Sequence, residues 1–347
     1  MLFNVEADYG DELVGYLVPD SVSETPRLCV LGAGALLWSG EANETRAALV
    51  EAGRHRTGRC GFRIGPTEVG DLSRVPDLEL RDLASGLTIY RRQAGAVQQR
   101  VFRLETRLTP SLGFDHAMER LFQGWYPAVD RFGTETVDQV LVPGPVPSVY
   151  ASGRVWVPAH AGLADGSARV VVDLRDPHEE LAERLAVLSG AFGAVDQRIT
   201  ARERLAWRGA LTLLDGVDLF DMRRLRRVLT RLEPEIAATL SNPLTRQLTC
   251  RVPGELCGPN AVSAALKTLA GFEVVAPACV GGYFETALAT LFGTAVPSPA
   301  QTRDEILWLA DALAEISVVD AILECDLMVY ASVSAVFEGL AAGMAHA

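Results

Sequence analysis

The stretch with the clearest chemical potential is VVVDLRDPHEELAERL, Val170 to Leu185. An apolar run of the kind that makes a buried strand breaks at Arg175-Asp176-Pro177 and passes straight into a helical pattern. A strand end followed by a helix N-terminus is a natural anion site, because free backbone N–H groups and the positive end of the helix dipole converge there. Arg175 at such a turn can hold a phosphate in bidentate fashion. The same residues also make a complete helix start that needs no ligand. Asp176 can cap it, and Pro177 takes the first helical position, where its missing N–H costs nothing. Glu179 stands where a capping box places its carboxylate. Leu181, Leu185 and Leu188 form one apolar stripe, and Glu180 and Arg184, spaced i, i+4, can pair on the surface.

Four further segments stand in a consistent order about that stretch: VPAHAGLADG (157–166) just before the strand, then LSNPLTRQL (240–248), LAGFEVV with GGYFETALATLFG, and VVDAILECDLMVYASVSAVFEGL. With VVVDLRDP they resemble the carbohydrate sulfotransferase families, over roughly residues 100 to 345. The resemblance implies an α/β fold of the P-loop-NTPase-like kind, a small parallel sheet surrounded by helices, with the sulfate donor PAPS as cofactor. It implies that His160 is the catalytic base. It assigns Arg175, Asn242, Thr245 and Arg246 to donor binding, and matches Asp326, Leu327 and Tyr330 to the core of the family's closing helix. The N-terminal part resembles a β-module attached to bacterial glycosyltransferase and sulfotransferase-like proteins.

The departures from that pattern bear on function. The family's first phosphate loop carries a lysine and a glycine-rich turn that cradle the phosphosulfate. The corresponding region here, VFRLETRLTPSLGFDHAMERL (101–121), has neither; Arg103 or Arg107 could supply charge but no cradle. The chain has one lysine, Lys267, against 31 arginines. The family's helical arginine and serine fall at Glu180 and Glu183, so two carboxylates would face a phosphate dianion. Each such contact costs about 1 kcal/mol in water and about 4 kcal/mol at intermediate dielectric, at a separation of ~4 Å. The family's later G-L-T-E-R segment is replaced by APACVGG. The expectation is therefore a sulfotransferase-like protein that is degenerate and noncatalytic, a binding or scaffold protein for a carbohydrate or protein partner at the bacterial surface, with no cofactor. The alternative is an active PAPS-dependent sulfotransferase acting on a surface glycan.

The elements that must position these residues are read as follows. Residues 1–92 carry short, partly alternating segments punctuated by Gly, Pro, Asp and Ser, which read as a small β-sandwich-like module. One short helix, NETRAALVEAG, has Asn43 as its cap and Gly53 past its end. Residues 93–100 read as a linker, and 101–347 as the α/β domain, mostly helical after 176. GAGALLWSG (32–40) mimics a dinucleotide-binding glycine pattern but lacks the strict spacing and the following helix. RLRRVLTR (224–231) reads as a solvated helix face.

At 347 residues with a net charge of −12, the chain can bury two cores and lacks the basic balance of a nucleic-acid binder. No metal-ligand spacing and no serine-nucleophile elbow are present. The six cysteines read as reduced thiols, with Cys250 and Cys257 as the one conceivable bridge. No secretory leader or apolar span of membrane length is seen, which makes the cytoplasm the expected location.

Overall fold

The computed structural model describes residues 1–92, 97–142, 146–191, 199–299 and 301–345. The strands, in chain order, are β1 (Leu2–Asp8), β2 (Leu13–Val18), β3 (Arg27–Gly32), β4 (Ala35–Glu41), β5 (Glu44–Thr45), β6 (Arg59–Ile64), β7 (Leu78–Asp82) and β8 (Thr88–Arg91). They continue with β9 (Arg100–Leu104), β10 (Gly124–Tyr126), β11 (Val149–Gly153), β12 (Arg169–Leu174) and β13 (Val274–Pro277). The first eight build two antiparallel four-stranded sheets, ordered β1-β2-β6-β5 and β4-β3-β7-β8.

The glycine pattern at 32–40 is a hairpin. Ala33 and Gly34, between β3 and β4, have φ of 48° and 80°, the left-handed pair that a two-residue turn between twisted strands requires. Asn43 does not cap the short helix. Glu44–Thr45 pair with β6 instead, so the helix starts later, at Ala47–Glu51, with Arg46 before it. Gly53 does lie past its end, at φ 66°.

A third sheet is five-stranded and parallel, ordered β10-β11-β9-β12-β13, with helices flanking it. β9 is the first of these strands in the chain but the third in the sheet; the chain goes from it to the edge strand β10, returns inward to β11, and then crosses to the other side of β9 for β12 and β13. In parallel sheets the ligand crevice opens beyond the C-terminal strand ends at such a reversal. Few strands, each close to helices, point from the sequence to a small parallel sheet wrapped by helices, and that is the architecture observed.

The chain divides into two compact units, Met1–Val101 with Met118–Ser152, and Phe102–Ala117 with Gly153–Ala347. The sequence pattern puts the boundary at 93–100. Of that segment, 93–96 lie outside the described residues, and Arg100 already opens β9. Residues 118–152 belong with the first unit because they bond back to it. The Leu121 carbonyl accepts from the Val97 N–H, Arg91 pairs with Glu119, and Thr136 Oγ1 donates to the Met1 carbonyl.

In the second unit, the helix Pro177–Leu188 turns Leu181, Leu185 and Leu188 into a core shared with Leu214, Leu225, Leu313 and Leu323. Each buried leucine contributes about 2 kcal/mol. The C-terminal helical stretch is two helices, Asp304–Ala314 and Ser317–Ala345. Among the described residues, no helix is long and apolar enough to cross a membrane. Helix Met222–Thr230 buries Leu225 and Leu229 and turns Arg223, Arg224, Arg226 and Arg227 to solvent, as a solvated face should.

Candidate functional site

Three strand ends, β9, β12 and β13, converge on a cleft of about 440 Å³ in the second unit. Each contributes a charged or close-packed group for a local reason. β9 alternates Arg103 with apolar neighbours and runs into Glu105 and Arg107. β12 carries Asp173 near its end and runs into Arg175, and β13 runs into the segment up to Gly282. Gly282, at φ 76°, lets that segment turn directly into the helix Tyr283–Phe292, whose Phe284 meets Phe114 at 5.9 Å between ring centroids.

The loop after β9 closes around its own carboxylate. Glu105 Oε1 accepts the Arg107 backbone N–H at 3.1 Å, and Oε2 accepts the Ser111 N–H at 2.8 Å and Arg103 Nη2 at 3.0 Å. Two backbone donors and a guanidinium thus surround a buried anion that belongs to the chain. Burial alone would raise the Glu105 pKa. Arg103, the Ser111 N–H and Arg107 outweigh it and hold the carboxyl below the ordinary range. Arg103 is engaged further by Asp115, at 3.1 and 3.2 Å, and lies over the Phe114 ring.

Arg175 lines the cleft, and both terminal nitrogens of its guanidinium are engaged. Nη1 lies 2.5 Å from Glu183 and 3.4 Å from Glu180, and Nη2 donates to Thr302 Oγ1 at 3.1 Å. Thr302 in turn donates to Glu179, and Glu183 also takes Arg107 Nε at 3.2 Å and Thr109 Oγ1 at 3.1 Å. Glu180 and Glu183 therefore point inward, at Arg175. Burial lowers the Arg175 pKa, but Glu180, Glu183 and Glu179 more than offset it.

The N-terminus of the helix Pro177–Leu188 is likewise filled from within. Asp176 Oδ1 accepts the N–H groups of His178 and Glu179, at 2.8 and 3.4 Å, with Pro177 at the first helical position as read from the sequence. Glu180 and Arg184, read as a surface pair, are buried, and their 3.0 Å bond is an interior one. The apolar stripe pulls both inward, and Arg184 Nη2 donates to the Thr106 carbonyl at 2.8 Å.

Asp173 faces the same cleft, and no described residue donates a hydrogen bond to its carboxylate. Burial is the main cause that lifts its pKa to about 6, against Arg175, Arg103 and Arg107. Sequence reading passed over it, although an acid inside the apolar run VVVDL was its visible signal.

The other sequence-derived site residues lie elsewhere. His160 is buried, between a short 3-10 turn and the helix Ala161–Ala164, and is not among the cleft residues. Asn242 caps the helix Pro243–Thr249 from a left-handed conformation, φ 41°, and its Oδ1 accepts the Asp326 N–H. Asp326 returns both oxygens to that helix, accepting from Leu244 at 3.0 Å and Thr245 at 2.7 Å. Thr245 is fully buried. Arg246 donates to the carbonyls of Ala238, Pro253 and Glu255 and lines a different cavity. The structure thus puts Arg175 in the cleft and uses Asn242, Thr245 and Arg246 to tie three helical segments together. All six cysteines are free, including Cys250 and Cys257. Comparison of the chain with family models, curated proteins and solved structures finds no match.

Proposed function

We propose that the chain is a noncatalytic binding or scaffold protein on a sulfotransferase-like frame, with a carbohydrate or protein partner at a bacterial surface. What supports this reading is Glu105. Its carboxylate takes the two loop N–H groups and the guanidinium that a phosphate would need. A donor nucleotide would have to expel Glu105, or approach Glu183 and Glu180, at a cost of about 4 kcal/mol per close like-charge contact. The arginines of the cleft are neutralised internally, so they present no net attraction for a dianion.

Titration with adenosine 3′,5′-bisphosphate, followed by thermal denaturation, tests this. A ligand at a hundred times its Kd adds about 2.7 kcal/mol. The expected result is no shift at millimolar bisphosphate. A clear shift that Arg107→Ala abolishes would overturn the noncatalytic reading's closed anion site and revive the PAPS-dependent one. One observation favours that second reading: Asp173, with its pKa near 6, lines the cleft and has the proton affinity a general base needs, whereas His160 does not line it.

A further inference from the structure

One face of the second unit carries charges without partners and rings without cover. The helix Met222–Thr230 points Arg223, Arg224, Arg226 and Arg227 outward, and Arg231 follows at its end. No described residue forms an ion pair with any of the five. The one side-chain bond they make to a described residue runs from Arg227 Nε to the Arg223 carbonyl. Exposed arginines elsewhere do find carboxylates: Arg54 pairs with Glu135, Arg63 with Glu12 and Arg169 with Glu273. In a chain with a net charge of −12, acids are not scarce, so five unpaired neighbours are a local arrangement.

The helix Asp304–Ala314 carries the opposite charge. Asp304, Trp308, Asp311 and Glu315 recur at intervals of four, three and four, which puts them on one face, away from the buried Ile306, Leu309, Ala310 and Leu313. The three acids have no described cation beside them. At 1.5 Å per residue the acidic stripe is about 16 Å long and the run from Arg223 to Arg231 about 12 Å, so the two match in length.

Phe220 and Trp308 join the two. Phe220 directly precedes Asp221, the cap of the basic helix, and its ring lies 5.1 Å from that of Trp308, within the acidic stripe. Both rings are about half exposed, Phe220 at 51% and Trp308 at 47%, with the adjacent Leu307 at 38%. Solvation accounts for the arginines but not for this apolar centre. Tryptophan beside arginine is the composition of interface hot spots.

The face therefore has a basic half, an acidic half and an apolar centre. A polyanion would meet the arginines and be repelled by the stripe. A second copy carries both halves, and a two-fold axis through the centre sets each basic half against the other copy's acidic half. The net charge of −12 on each copy opposes approach only at long range, because at physiological salt exposed charges more than about 8 Å apart are largely screened.

We propose that the chain forms an isologous dimer through this face. The Phe220–Trp308 pairs of the two copies pack about the axis, and the arginines of each copy meet the partner's Asp304, Asp311 and Glu315. This does not rest on the reading of the cleft.

Sedimentation velocity of the full chain from about 1 to 100 μM tests it, and a species of twice the 37.3 kDa chain mass is expected within that range. Arg224→Glu with Arg227→Glu, and separately Asp311→Arg with Glu315→Arg, are each expected to raise the dissociation constant at least about tenfold, because each sets like charges together. Mixed in equal amounts, the two variants are expected to recover the dimer as a one-to-one pair. Every reversed helix then faces a reversed stripe, and every unchanged helix an unchanged stripe. All four positions are exposed, and the melting temperature of each dilute variant checks that the fold persists. Trp308→Ala alters no charge, is expected to weaken the dimer about tenfold, and keeps the test decisive if a reversal fails to fold. The proposal is overturned by any of four results: a monomer throughout the range, including one that binds polyglutamate through these arginines; a dimer that either reversal leaves intact; a mixture as dissociated as its components; or a dimer unaltered by Trp308→Ala.

Discussion

Asp173 and Glu105 sit at neighbouring strand ends with opposite proton affinities. Glu105 is surrounded by donors and stays ionised; Asp173 is desolvated without a donor and its pKa rises to about 6. The consequence for stability has a definite sign. A carboxyl raised above its unfolded value, near 4, binds its proton more tightly when folded. Stability then falls as pH rises from about 4 to 6, and the loss is complete above that. Asp173→Asn should therefore stabilise the protein by roughly 2–3 kcal/mol at pH 7, and by nothing at pH 4. Thermal melts of both proteins across that range measure it; equal melting at pH 7 would refute the desolvated state. Glu183→Gln removes the charge shared by Arg107 and Arg175, and should give the cleft measurable bisphosphate affinity that the parent lacks. At this scale the sequence marked Arg175, Glu180 and Glu183 as neighbours. It could not show Glu105 folding back on its own loop, because that depends on where Arg107 and Ser111 direct their amides.

Elements were legible where their determinants are local. The helix Pro177–Leu188 could be read to its first residue, since Asp176, Pro177 and the leucine spacing are all within a dozen positions. Its burial was not legible: Glu180–Arg184 has the spacing of a surface pair, and only the backbone carbonyl of Thr106 makes an interior place for it. The short helix after β5 started late because strand pairing, a long-range contact, claimed the residues beside Asn43. The helix Pro243–Thr249 is the sharper case. Asn242 before Pro243 is a local start signal, but the first free N–H groups are taken by Asp326, more than eighty residues away, which nothing local announces. Asp326→Ala strands two buried N–H groups and should cost about 2–4 kcal/mol, more than a local cap does. Leu185→Ala, in the apolar stripe, should cost about 3–5 kcal/mol. Urea unfolding gives both values; an Asp326→Ala loss below about 0.5 kcal/mol would show that the helix does not depend on the distant carboxylate.

For the molecule as a whole, composition set useful bounds. Acidic balance and ordinary hydrophobicity pointed to folded domains without a nucleic-acid face, and the parallel sheet with helices about it was foreseen. The division of the chain was harder to read. Residues 118–152 rejoin the first unit through bonds such as Arg91–Glu119, which a boundary drawn along the sequence cannot express. A net charge of −12 spread over exposed side chains should make the fold sensitive to ionic strength. Raising NaCl from 0.05 to 0.5 M is expected to increase the melting temperature, because screening relieves repulsion at the surface and reaches buried pairs such as Arg175–Glu183 far less. A fall would mean that exposed attractions dominate.

Glu105 and Thr106 have one further consequence. Their carbonyls are held from one side by Gln247 and Arg184, which line the same cavity as Arg246, while the Glu105 carboxylate faces the loop on the other. Two residues thus form a party wall between two chambers. Whatever takes hold of those carbonyl partners pulls on the same short backbone that anchors the amides of Arg107 and Ser111, so the resonances of those two amides act as a gauge readable from either room.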